Sequence, residues 1–281
     1  MNRVIALVYV AAAFSVGCTH APDPSTGGSL ANRAPANTIA PLPTYEQDAT
    51  LPAWSFDNVP GWLALTTQPE SRRKVAWTPS HPNATAVILH AEGWSESVEE
   101  GTHFRLVVAE GNLPLTLSEV SQIPYGCDST PTIMAAFKTP HDLAEELAWI
   151  TPASFTSASV LAVHARATSS RERVYRIGDL TVRLRVQSDE QGTLTIQRQG
   201  AMLFTREFTR PTMEGADVTA LDLANDYEIG VPFPQGAFRL DGALSIIVLR
   251  YLSFETVQFE VLRVGPTIES AGTQSVYLCA Y

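Results

Sequence analysis

The chain has only three cysteines in 281 residues, few charged side chains (17% Asp, Glu, Lys and Arg) and no unbroken apolar run longer than eleven residues. Each shortage excludes something. The longest apolar run, Val4–Phe14, falls well short of the roughly 20 residues a spanning helix needs, so it is too short to be a transmembrane anchor. The cysteines, Cys18, Cys127 and Cys279, lie far apart, which rules out a close-spaced redox pair and any clustered Cys/His metal spacing. No phosphate-cradling glycine loop and no dinucleotide fingerprint occurs. Positive charge is also scarce: 19 Lys and Arg face 29 Asp and Glu, a net charge of −10. Such a surface repels phosphate backbones, so nucleic acid is not an expected partner. What is abundant is apolar side chain, 45% of the total, enough for a globular body with a sizeable core.

The first residues carry an address. Arg3 is the only charge before residue 18, the apolar run follows, and Ser15, Val16 and Gly17 lead into Cys18. A charged start, a short apolar core and a small-residue end are the pattern of a secretory signal. With cysteine directly after glycine, "FSVGC" resembles the lipobox of bacterial lipoproteins, with Ser15 where that family most often has leucine. The resemblance implies a signal peptide over 1–17, acylation of Cys18 and an outer-membrane, lipid-anchored protein of the cell envelope. Thr19 in place of aspartate fits that destination. Loss of Arg3 with the signal leaves 18 basic and 29 acidic residues, a net charge of −11. One acyl chain binds a membrane only marginally, and several anchor it stably. The membrane contact is therefore expected at Cys18 rather than on the folded surface.

Residues 18–52 contain six prolines among Ser, Thr, Gly and Ala, with no apolar period, and are predicted to be a disordered tether. Its coil dimension would be on the order of 30 Å. Beyond it the pattern is mostly of period two, which predicts a mainly β protein built of antiparallel, sandwich-like units. In "DLTVRLRVQ", Leu180, Val182, Leu184 and Val186 share one face; after the turn "SDEQG", "TLTIQ" repeats the alternation. "LSIIVLR" has a continuous apolar centre suited to a strand buried on both faces. One helix is predicted over 140–150, with Thr139 as its cap, Pro140 in its first turn, Leu143, Leu147 and Ile150 as its stripe, and Pro152 as its stop. The expected order is thus a β-rich unit over 53–138, a linking helix over 139–152 and a second β-rich unit over 153–281 packed on the first.

In an exported protein, Cys127 and Cys279 are expected to form a disulfide that pins the terminal strand "SVYLCAY" to the body. His90 and His103 flank the acidic stretch "AEGWSESVEEGT" and would meet at the mouth of a hairpin, near Glu92, Glu96, Glu99 and Glu100. Two histidines with a carboxylate suit either zinc or acid–base work, although strand-end histidines are usually just solvated. "GWSES" approaches a nucleophile elbow but has Ser97 where a second glycine is required, and neither the strand nor the helix of an elbow flanks it. Trp94, in that polar stretch, is the tryptophan expected to be exposed and available to stack on a ligand; Trp54, Trp62 and Trp77 read as core. The acidic run "MEGADVTALDLANDYE" lacks the spacing of a calcium loop. Nine arginines between Arg166 and Arg210 could bind an anionic envelope glycan, but they read more simply as a solvated, pairing-resistant face.

No cofactor and no metal site is expected. The leading expectation is a non-enzymatic binding or assembly module with a glycan or protein partner. The alternatives are an envelope hydrolase with a site near the His90–His103 loop, and a periplasmic enzyme inhibitor that presents that loop.

Overall fold

A computed structural model describes residues 40–67, 84–89, 94, 98–108, 111–125, 130–139, 147–211 and 220–277. Its architecture is antiparallel β throughout, in two parts.

The first part is a closed barrel of six strands: β1 (Trp62–Thr67), β2 (Ala84–Leu89), β3 (His103–Val108), β4 (Gly111–Tyr125), β5 (Thr130–Lys138) and β6 (Leu147–Pro152). Around it the order is β1-β2-β5-β4-β3-β6, with β6 pairing back to β1. Three consecutive strands, β3 to β5, with β6 returning beside β3, make a Greek key. Closure leaves no open edge in this half.

The closing strand corrects one expectation. Residues Leu147–Pro152 form a strand and not the end of a helix; the rest of the expected helix, 140–146, lies outside the described residues. The stripe Leu147, Ile150 fits a helix, but "LAWITP" is buried on both faces, with Ala148 and Ile150 inside the barrel and Trp149 outside it. A strand buried on both sides loses its alternation, so periodicity cannot separate it from a buried helical turn. Pro152 sits at the strand's end, opposite Phe104.

The second part is a sandwich. Its central sheet has the order β16-β15-β14-β13-β7, from β7 (Ala158–Leu161), β13 (Pro232–Leu240), β14 (Ala243–Tyr251), β15 (Thr256–Val264) and β16 (Ile268–Tyr277). Its outer sheet is the meander β12-β11-β10-β9-β8, from β8 (His164–Thr168), β9 (Glu172–Ile177), β10 (Leu180–Val186), β11 (Gln191–Arg198) and β12 (Ala201–Thr209). The hairpin β10–β11 is as its alternation predicts: Leu180, Val182, Leu184 and Val186 are all buried. The stretch "VLAVHA", which reads as one strand, is divided instead. It leaves the central sheet at Leu161 and enters the outer one at His164.

Strand β14 explains how the halves join. Leu244, Ile246 and Val248 pack toward the outer sheet with Leu184, Leu194 and Phe208. Ile247, between them in sequence, packs the other way with Leu63, Val107 and Trp149 on the outside of the barrel. The central sheet is therefore covered on both faces, by the outer sheet on one and by the barrel on the other. That is why "LSIIVLR" carries no alternation. Residues 39–281 form a single compact unit.

The last dozen residues of the expected tether lie on this body and are not a free coil. The backbone N–H of Tyr45 donates to Asn58 Oδ1 at 2.8 Å, and its hydroxyl donates to the Leu240 carbonyl at 3.3 Å. Its ring meets Phe155 edge-on at 5.6 Å and Trp54 at 6.5 Å. Arg263 donates to the Pro43 carbonyl, and Leu42 packs so closely on Gly265 that an added Cβ there would lie 2.7 Å from it. Burial, with Asp241 adding to it, raises the Tyr45 phenol above its ordinary pKa. Phe155 and Arg263, which reach this segment from distant parts of the chain, are not visible in its own proline-rich composition.

Candidate functional site

Trp94 is the clearest correction among the expected site residues. It is fully buried, seated in the barrel core against Trp62 at 5.1 Å, Phe104 at 5.3 Å and Phe137 at 6.3 Å. It comes from the connection between β2 and β3 and not from a strand. The inward positions Ala64, Ala135 and Ala148 are small, and the indole fills the space that they leave. It therefore presents no face to a ligand. Trp62 is likewise core and donates to the Ala53 carbonyl at 3.0 Å; Trp54 is half-buried beside Tyr45, and Trp77 lies outside the described residues.

His103 opens β3, is exposed, and has its Nδ1 3.2 Å from the Oγ1 of Thr116, its direct partner across the β3–β4 ladder. His90, with Glu92, Ser95, Glu96 and Ser97, lies outside the described residues, as do Cys18, Cys127 and Cys279. Among the described residues no three His, Cys, Asp or Glu side chains are grouped to hold a metal.

The arginines form ion pairs, and the pairs have an architectural logic. On the outer sheet Arg183 bonds Glu172 at 2.7 Å and Arg198 bonds Asp179 at 2.9 Å. Two more fasten the loop that leads into β13: Arg173 pairs with Asp226, and Arg210 lies 3.5 Å from the buried Glu228. Asn225 donates to Glu228 at 3.3 Å, and Asp222 accepts the Ala224 N–H at 2.9 Å. The described part of the acidic run is thus held by arginines and by its own backbone. Arg173 also lies over the rings of Tyr175 and Phe233, at 5.4 and 5.3 Å, which joins the two sheets.

The side of the sandwich beneath the edge strand β12 is polar. Arg206 of β12 reaches across to Glu260 of β15 and grips it with both nitrogens, Nη1 to Oε1 at 2.8 Å and Nη2 to Oε2 at 2.6 Å. The Ser270 hydroxyl donates to Glu260 Oε1 at 2.7 Å. This planar fork is the strong geometry for guanidinium and carboxylate. Beside the pair is a cleft of about 110 Å³, bordered by Arg206, Glu207, Arg250, Gln258, Glu260 and Thr273.

Arg250 stands apart from the other arginines around it. Its Nη2 donates to the Thr209 carbonyl at 3.1 Å, while its Nε–H is buried without a partner. No ion pair within 4 Å joins it to any described carboxylate. Burial lowers its pKa from the ordinary value, and the like charge of Arg206 lowers it further. Nothing in the sequence marks this position: "VLRYL" is the ordinary end of a buried strand. Its setting depends on β12, which is more than 40 residues away in the chain.

No family model, no curated protein and no solved structure matches this chain.

Proposed function

We infer that the chain is a lipid-anchored protein of the bacterial cell envelope whose folded body is a non-enzymatic binding or assembly module. The anchor reading comes from "FSVGC", where a short apolar run ends in small residues and a cysteine. The module reading is carried by the use made of the interior charges. Glu260, Glu228 and Arg173 are committed to pairs that tie one element to another. A catalytic acid or base must exchange its proton with substrate, whereas a carboxylate locked in a fork of two N–H donors is suited to holding a scaffold rigid. A stiff body of stacked sheets, held to a membrane by lipid, suits the presentation of a surface to a partner.

The test is acylation of the full-length chain expressed in a Gram-negative host with labelled palmitate. The expected result is a labelled protein in the outer-membrane fraction, with label and membrane association both lost in Cys18→Ala. Unlabelled wild-type protein in the soluble fraction would overturn the anchor. Turnover of an envelope substrate, abolished in His103→Ala, would overturn the non-enzymatic reading in favour of a hydrolase.

A further inference from the structure

We propose that the cleft beneath β12 is a binding site for an oxyanion, a carboxylate or phosphate group borne by a small polar molecule, with Arg250 as its principal donor. The inference rests on the reading of the body as a binding module and gives that module a ligand class.

The argument begins with donors and acceptors. A guanidinium has five N–H donors and can never accept. Arg206 spends its fork on Glu260, and Glu260 spends its oxygens on Arg206 and Ser270. The carboxylate makes no hydrogen bond to Arg250 and attracts it only through space. One bond to the Thr209 carbonyl accounts for one of Arg250's five donors. The Nε–H beside it is buried with no acceptor. A buried donor without a partner costs about 1–3 kcal/mol, and a second guanidinium lining the same cleft adds repulsion.

Four charged side chains border the cleft, Arg206 and Arg250 against Glu207 and Glu260, and their formal charges balance. Of the two carboxylates, Glu207 is the exposed one, and solvent screens its charge more than that of Glu260. An anion would accept from Nε and the remaining Nη donors of Arg250, and find the Gln258 amide and Thr273 hydroxyl in the same lining. A planar fork is the usual partner of carboxylate and phosphate oxygens. About 110 Å³ holds a few waters or one oxyanion head group, not a folded peptide or a whole glycan chain. The remainder of the ligand would extend into solvent.

Arg250→Met separates this role from a structural one, because it keeps an apolar stem of similar length and removes the charge. Full-length protein in detergent is titrated calorimetrically with inorganic phosphate, with glucuronate and with uncharged glucose. Binding of phosphate or glucuronate, with no heat from glucose, is expected, and whichever of the two binds more tightly tells a phosphate ester from a sugar acid. Arg250→Met is expected to lose at least tenfold in affinity while its melting temperature stays the same or rises. Arg250→Lys, which keeps the charge but not the fork, is expected to weaken binding by a smaller factor. Arg185→Gln, on the solvent face of the outer sheet, should bind as wild type. Wild-type protein that binds neither oxyanion overturns the site, as does equal binding by Arg250→Met. Neither outcome touches the turnover assay with His103→Ala, so a failed site and a failed module reading are told apart.

Discussion

Trp94→Ala is expected to lower the unfolding free energy by about 3–5 kcal/mol, the range for truncating a fully buried tryptophan, while unfolding remains a single transition. The indole touches Trp62, Phe104 and Phe137 within one ring cluster. Its removal leaves a void that a closed barrel cannot collapse around, because each strand is held by two neighbours. Trp94→Phe should be far milder, about 1–2 kcal/mol. The indole Nε1 is buried without an acceptor, so phenylalanine gives up volume but also removes an unmet donor. Urea denaturation of both variants checks the pair. Equal losses in the two would contradict the packing account, because both variants remove the donor and differ only in the volume they fill.

Trp149→Ala should cost a similar amount, about 3–5 kcal/mol, with a different signature. Trp149 faces outward from β6, stacked on Phe238 of the central sheet at 4.5 Å with an interplanar angle of 17°, and its Nε1–H donates to the Pro60 carbonyl at 2.8 Å. Gly61 makes this approach possible. It takes φ = +119°, and a Cβ there would lie 2.0 Å from the Ile150 carbonyl oxygen and 2.7 Å from the indole nitrogen. The side chain is thus the bolt between barrel and sandwich. Its loss weakens the joint without opening either core. The expected outcome is a denaturation curve that broadens and splits, with the barrel melting first, unlike the single lowered midpoint of Trp94→Ala.

The contrast between these two tryptophans shows what a sequence of this kind conveys. Where a strand has one face in a core and one in solvent, its neighbours report the fact, and Leu180 to Val186 were legible for that reason. The unbroken apolar centre of "LSIIVLR" was legible too, since only a strand covered twice tolerates it. Legibility ended where burial was conferred from a distance. Trp94 sits among Ser, Glu and Gly, and its burial depends on three alanines on three separate barrel strands. Leu147 to Ile150 carries a helical spacing, yet becomes a strand because β1 and β3 each lack a neighbour without it. Strand β13 was hidden by Pro232 and Pro234. Those prolines are tolerated because β7 pairs only with Ala237–Leu240, which leaves the proline end of β13 with a single neighbour. The cleft was the least legible feature. Arg250, Arg206 and Glu260 are unremarkable in their own segments, and it is only the stacking of β12 over β14 and β15 that makes them one group.

The four described tryptophans, Trp54, Trp62, Trp94 and Trp149, lie in the barrel or against it and the described strands of the sandwich contain none, whereas Tyr175, Tyr227, Tyr251 and Tyr277 lie in it. Tryptophan fluorescence therefore reports the barrel, and tyrosine absorbance near-selectively reports the sandwich, in the same urea titration. A central sheet that serves as a wall for both halves requires the two signals to change together, with one midpoint and one slope. Two separated midpoints in the wild-type protein would contradict the shared wall, and with it the rigid scaffold on which the binding reading stands.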